Sequence, residues 1–283
     1  MKLGYQLANY THPERLADLA RQVEDCGFDS FWVTDHLFQI EVIGPAEMDM
    51  LEAYSVLAYL AAVTSRLRLG AMASCVTFRH PALLVKAVTS LDVLSRGRAC
   101  LGLGAGWFER EHRGLGIPFP PTAERFELLE ETLQIAGQMW SGARGPWRGK
   151  HFQLEESLCM PQPLQRPHPP ILIGGMGERK TLRLVAQYAQ GCNFYQAAGA
   201  EVIRAKLEVL RTHCQAAGTD YAAIEKTTLG VYFPGQQARF RQELEQLAEL
   251  GIDTAIVGLI DPHDQVAFSE LSTCIPQERY SSP

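Results

Sequence analysis

Short apolar runs alternate with amphipathic stretches along almost the whole chain. Residues 3–7 read as a strand, and Thr11-His12-Pro13-Glu14 then has the form of a capping box with proline just inside a helix. Leu16, Leu19, Ala20 and Val23 recur at i, i+3, i+4 and i+7, an apolar face that docks on a sheet until Gly27 stops the helix. A second strand, residues 30–34, runs into Asp35-His36, and a helix follows over about 52–65. Residues 67–107 make one complete βαβ unit: an apolar strand ending in Ala71, Ala73 and Ser74, a helix opened by Pro81 and running to about 94, and a strand ending in Gly104, Ala105 and Gly106. Residues this small leave the backbone open to a flat ligand.

The alternation continues. A helix is predicted over about 122–139, strands over 171–173, 192–195, 227–233 and 254–259, and helices over about 179–189, 202–216, 237–250 and 262–272. The exception is 142–169, where glycines and prolines exclude a helix; an ordered excursion of this length serves as a lid or wraps the surface. The turn Cys26-Gly27-Phe28-Asp29 is echoed by Leu250-Gly251-Ile252-Asp253, as a repeated βα unit requires. Strict alternation of eight strands with eight helices predicts an α/β fold of the closed (β/α)8 TIM-barrel kind, one domain over 1–275 with a tail at 276–283. The active site then belongs at the C-terminal ends of the strands.

Composition narrows the function. The chain has 283 residues, 46% of them hydrophobic, and a formal net charge of -6 with its Lys and Arg scattered, so it carries no footprint for nucleic acid. The start enters a strand directly, without a signal core, and no apolar run approaches the roughly 20 residues that cross a bilayer. Seven cysteines, none in a Cys-x-x-Cys pair, predict reduced thiols in a cytoplasm and no metal site.

Aligning strand ends gathers Asn9, Asp35, His36, Met72, Ala73, Ser74, Gly104, Ala105, Gly106, Trp107, Gly174, Gly175, Met176, Gly177 and Asn193 at one mouth. His36 either caps a loop or exchanges a proton with substrate beside a carboxylate, for which Asp35 is the adjacent candidate. The glycines at 102, 104 and 106 lack dinucleotide-fingerprint spacing and arrive after three βα units, which disfavours a Rossmann site. The loop Gly174-Gly175-Met176-Gly177 precedes a helix with Arg179 and Lys180 near its start, where amides, helix dipole and cations suit a phosphate; a plain tight turn would look the same. Arg79-His80 caps the helix at Pro81 or meets an anionic tail. Glu109, Glu111 and His112 form a charged run of the kind that opens a solvated loop, with acid or base work as the alternative. Trp107 stacks on a ring or covers the mouth.

These stretches together resemble the bacterial luciferase-like monooxygenase superfamily, in particular its branch of coenzyme F-420-dependent oxidoreductases. The resemblance covers residues 2–272 and is most specific at Phe31-Trp-Val-Thr-Asp-His36, Thr77-Phe-Arg-His-Pro-Ala-Leu83, Thr89-Ser-Leu-Asp-Val-Leu-Ser-Arg-Gly-Arg98, Gly104-Ala-Gly-Trp-Phe-Glu-Arg-Glu-His112 and Pro169-Pro-Ile-Leu-Ile-Gly-Gly175. It implies a TIM barrel that binds the deazaflavin coenzyme F-420 or, alternatively, FMN, with a non-proline cis peptide at Met72-Ala73 against the back of the ring. It implies an Asp-His pair, here Asp35 and His36, as the catalytic groups. The cofactor would lie on Met72, Ala73, Ser74, Gly104, Ala105, Gly106, Trp107, Gly174, Gly175, Met176, Gly177 and Arg179. Several relatives carry a catalytic Glu where this chain has Trp107, which leaves His36 as the proton carrier. The resemblance further implies a homodimer and a small-molecule substrate. The expected reaction is hydride exchange between cofactor and substrate, with an FMN-dependent monooxygenase as alternative. A flavin-binding carrier is the alternative of another class. An aldolase-like barrel needs a lysine at a strand end, and none is found.

Overall fold

A parallel sheet covered on both faces needs strands that are apolar almost throughout, and the chain supplies eight of them. The computed structural model describes residues 1–7 and 13–276; Asn9, with Thr11 and His12 of the expected capping box, lies outside the described residues. The strands are β1 (Lys2–Leu7), β2 (Ser30–Val33), β3 (Arg68–Ala71), β4 (Ala99–Gly104), β5 (Ile171–Gly174), β6 (Gly191–Tyr195), β7 (Glu225–Tyr232) and β8 (Thr254–Leu259). Each pairs in parallel with the next, and β8 pairs with β1 through Lys2 opposite Thr254, which closes the barrel.

Around it lie α1 (Pro13–Asp25), α2 (Ala53–Val63), α3 (Pro81–Leu94), α4 (Glu109–Leu115), α5 (Thr122–Trp140), α6 (Thr181–Tyr188), α7 (Ala200–Ala217), α8 (Gln237–Glu249) and α9 (Gln265–Ser272). One of these, α4, corrects the reading of the charged run 109–112 as an open loop. Helix α6 begins two residues later than expected, so Arg179 sits in the turn before it. No helix among the described residues is long and apolar enough to cross a membrane.

Two cores result. Between barrel and helices the strands' outward side chains pack with Leu16, Leu57, Val85 and Leu184. Inside the barrel Trp32, Met72, Cys100, Leu172 and Ile256 form a separate cluster. Burial pushes the Cys100 thiol up to about 12, so it stays protonated and acts as apolar filler.

The N-terminal mouth is closed by an ion pair across the barrel. Arg68 at the start of β3 grips Glu225 at the start of β7 with two bonds of 2.7 and 2.9 Å, and Thr254 donates to the same carboxylate at 2.7 Å. Burial pushes Glu225 up, but Arg68 and Thr254 outweigh it and hold the carboxyl below its usual range. A depressed carboxyl contributes stability that is complete above the unfolded value, near 4.3, and is lost as pH falls through the folded one. Arg68→Met is expected to cost roughly 2–3 kcal/mol at pH 7 by leaving Glu225 unpaired. The sign of the pH dependence should then reverse, acidification relieving the variant while it weakens the parent, as urea titrations at pH 7 and pH 4 would show.

The excursion at 142–169 straps across α3 and α5. It contains a small antiparallel hairpin, Trp147–Arg148 with Gln153–Leu154. The Glu131 carboxylate of α5 accepts amides from Lys150 at 2.7 Å and Phe152 at 3.0 Å, and Asp92 of α3 accepts from Leu164 at 2.6 Å and Gln165 at 3.1 Å. Two buried carboxylates thus satisfy backbone donors that a chain without regular structure would leave orphaned.

Candidate active site

The C-terminal end of β3 departs from strand geometry at once. The Met72–Ala73 peptide is cis, and the chain rejoins the barrel at Ser74–Cys75, which pairs with Leu103 and Gly104 of β4. The detour places the Ala71 carbonyl 1.9 Å from where a Cβ on Gly102 would stand, so only glycine fits there. The Ala73 methyl lies 3.8 Å from the Cβ position of Gly104 and 3.6 Å from that of Gly174. Ends of β3, β4 and β5 thereby meet in a patch of floor, Ala73 with Gly104 and Gly174, that carries no side chain larger than a methyl group. Gly106 follows with φ +79 and a Cβ position 2.2 Å from the Cys75 sulfur, which excludes any other residue.

Over this floor opens a cavity of about 260 Å³ lined by Met72, Ala73, Gly104, Ala105, Gly106, Trp107, Gly174 and Gly175, with His36 and Asn193 from the neighbouring strand ends. That is near the lower end of the roughly 300–1,000 Å³ typical of small-molecule sites. None of the described lining residues comes from 142–169. Ser74 is fully buried behind the floor, its hydroxyl 2.9 Å from that of Tyr54. Met176, Gly177 and Arg179 line an adjoining recess with Glu178, Lys180 and Lys206, and Phe126 is shared by both.

Asp35 and His36 bond to different partners. The Asp35 carboxylate, at the edge of the cavity, makes a forked contact with Arg79, 2.5 and 3.0 Å, and Arg79 also grips Glu52 and stacks 4.9 Å from the Tyr54 ring. Burial pushes the Asp35 carboxyl up while Arg79 opposes it. Of the Arg79-His80 pair, His80 takes the capping role at α3 by accepting from the Ala82 amide at 3.3 Å, and Arg79 is engaged with Asp35 and Glu52.

The carboxylate beside His36 is Glu111, 75 residues along the chain. Its Oε1 accepts from His36 Nδ1 at 2.8 Å, and its Oε2 accepts the amides of Leu37 at 2.7 Å and Phe38 at 3.2 Å. An ionised carboxylate only accepts, so Nδ1 carries the hydrogen and Nε2 is left to face the cavity. Glu111 thus fixes the tautomer of His36 and the backbone that carries it. Trp107 and Phe108 meet the imidazole edge-on at 5.4 and 5.7 Å.

Glu111 and His112 are each 1% exposed, which overturns the solvated reading of that run. Helix α4 splits the charges: Glu109 pairs with Arg113 on the outer face at 2.7 Å, while Glu111 and His112 turn inward. His112 is a satisfied core imidazole. Its Nδ1 donates to the Phe108 carbonyl at 2.8 Å, its Nε2 accepts from Thr77 at 2.6 Å, and Phe78 stacks on it at 4.7 Å. Burial also pushes the nearby Cys75 thiol up, so it presents S–H, not thiolate, to the cavity.

Among residues the sequence did not single out, Phe108, Thr181, Tyr195 and Leu229 also line the cavity. The spacing of Phe108, Glu111 and His112 at i, i+3 and i+4 carried the missing signal, a short helix with one face inward.

A closed (β/α)8 barrel with small residues at three strand ends and a carboxylate-oriented histidine at its C-terminal mouth defines the class of this protein, a (β/α)8 barrel with its candidate site where such barrels carry one. The chain belongs to the luciferase-like monooxygenase family, whose model matches residues 2–269. It is 30% identical over 289 residues to an F420-dependent glucose-6-phosphate dehydrogenase of Kineococcus radiotolerans, covering 99% of this chain and 81% of that one. It is 31% identical over 196 residues to the protein of the same name in Microbacterium testaceum, covering 68% of this chain and 55% of the relative. Among solved structures, an F420-dependent secondary alcohol dehydrogenase in complex with an F420-acetone adduct superimposes with a TM-score of 0.85 at 18% identity, covering 97% of this chain and 98% of that one. At that identity the likeness is one of fold.

Proposed function

We propose that the protein is a coenzyme F420-dependent oxidoreductase that exchanges a hydride with a small organic substrate. The observation that carries this reading is the floor of Ala73, Gly104 and Gly174 next to a histidine whose Nε2 is freed by Glu111. The relatives' names favour F420 over FMN. Bound there, the deazaflavin supplies the two-electron chemistry. This chain's residues do the rest. Ala73, Gly104 and Gly174 support a flat ring, while Trp107 and Phe108 shield the reacting edge from water. His36 Nε2 accepts or returns the substrate proton, and Glu111 holds the imidazole in register. The recess beside the Gly174–Gly177 loop, with Arg179, Lys180 and Lys206, takes the cofactor's phosphate. Asp35, held by Arg79, borders the cavity, and Ser74, bonded to Tyr54, supports the floor from behind.

The folded unit runs over residues 1–275. Seven free cysteines support a cytoplasmic setting. A homodimer is supported by Leu83 and Leu94, exposed 62% and 64% on α3.

An FMN-dependent monooxygenase is the second reading, favoured by the family's own chemistry. Fluorescence-quenching titrations separate the two. F420 is expected to bind with Kd in the micromolar range and FMN at least about 10-fold more weakly, with Lys180→Ala/Lys206→Ala weakening F420 by roughly 10-fold. Tighter FMN binding would hand the site to the monooxygenase reading.

A further inference from the structure

Around the small-residue floor the cavity is aromatic. Trp107 and Tyr195 are 60% and 52% exposed at its mouth, and Phe108 and Phe126 complete the wall. Exposed rings gathered at a cleft mark a surface made for an apolar ligand. Among the described lining residues there is neither Lys nor Arg, and residues 8–12 contain neither. Of the two carboxylates present, Asp35 is paired with Arg79, whereas Glu111 has only the His36 imidazole and the Leu37 and Phe38 amides as partners. Arg79, the cation behind Asp35, is already spent on Asp35 and Glu52, and Arg179, Lys180 and Lys206 lie across Phe126 in the recess assigned to the cofactor phosphate. A phosphorylated substrate would bring about two negative charges into a wall that offers no countercharge and one carboxylate.

We infer that the substrate is a small neutral alcohol–carbonyl pair bearing apolar groups, and not a sugar phosphate of the kind named for the F420-dependent relatives. This rests on the cofactor reading above. In the oxidising direction the carbinol C–H bond breaks and its electron pair leaves as hydride to the oxidised deazaflavin. The O–H bond breaks, its proton passing to Nε2 of neutral His36, and the C=O bond forms. The substrate loses two electrons and the cofactor gains them. The proton taken by His36 is released to solvent, which returns one to the reduced cofactor. Carbonyl reduction is the same sequence reversed.

The test uses the F420-loaded protein, with loading first established by fluorescence quenching. Cyclohexanol, cyclohexanone and glucose 6-phosphate are then compared by calorimetric binding and by turnover. The neutral pair is expected to bind and to turn over with kcat/KM at least about 100-fold above glucose 6-phosphate. In Trp107→Arg the affinity for glucose 6-phosphate should rise by about 10-fold, a gain that a merely structural tryptophan would not create. Glucose 6-phosphate turning over within about 10-fold of cyclohexanol overturns the inference, and so does loaded protein that binds neither member of the neutral pair. A protein that fails to load F420 removes the cofactor reading instead, so the two failures are told apart.

Discussion

Glu111→Gln is expected to lower kcat by roughly 100- to 10,000-fold while leaving F420 affinity within about twofold. The side chain has nearly the same shape, so the Leu37 and Phe38 amides keep an acceptor in the amide oxygen. What changes is the other arm. A carboxylate accepts from His36 Nδ1 at 2.8 Å, whereas an amide nitrogen donates, so the imidazole must move its hydrogen to Nε2. The nitrogen facing the cavity is then already protonated and has nothing to accept with. His36→Ala should fall to a similar rate, and the double variant no further, because the two residues act as one unit. Steady-state kinetics with a separate cofactor titration checks this. Full activity in Glu111→Gln would mean that the proton travels by another route.

Gly104→Val should weaken cofactor binding roughly 10- to 100-fold without unfolding the barrel. A Cβ at residue 104 meets nothing closer than the Ala73 methyl at 3.8 Å, and valine suits a strand. Its two further methyl groups, however, rise into the flat space that the ring must occupy. Overpacking of this kind costs about 1–3 kcal/mol, here taken from binding, so Kd is expected to weaken by roughly 10- to 100-fold with Tm nearly unchanged. Gly102→Ala is the contrast: its single methyl would overlap the Ala71 carbonyl at 1.9 Å, so the fold suffers. Unchanged F420 affinity in Gly104→Val would move the ring away from the β4 end.

Much of the architecture is written in local pattern. Helix α3 begins at Pro81 and ends at Leu94, and β8 spans Thr254–Leu259, as proline placement and apolar period predict. The floor was legible too, because glycine and alanine at strand ends leave few alternatives. Partnership across the chain was not. Asp35 precedes His36, and adjacency suggested a pair, yet each side chain takes its partner from another part of the chain. Their real partners, Arg79 and Glu111, stand 44 and 75 residues away. A buried carboxylate in a charged run reads as solvated until the fold supplies the amides and imidazole that satisfy it. The excursion at 142–169 kept two readings for the same reason, since Asp92 and Glu131, which tie it down, look like ordinary helix-surface acids.

The bond between Glu111 and the β2 loop also makes two distant stretches of chain exchangeable only together. A chimera that imports a foreign connection between β4 and α5 will seat its histidine only if the donor segment brings an acid four positions beyond the residue at 107. Without that acid, the graft keeps its barrel and loses the alignment of its imidazole.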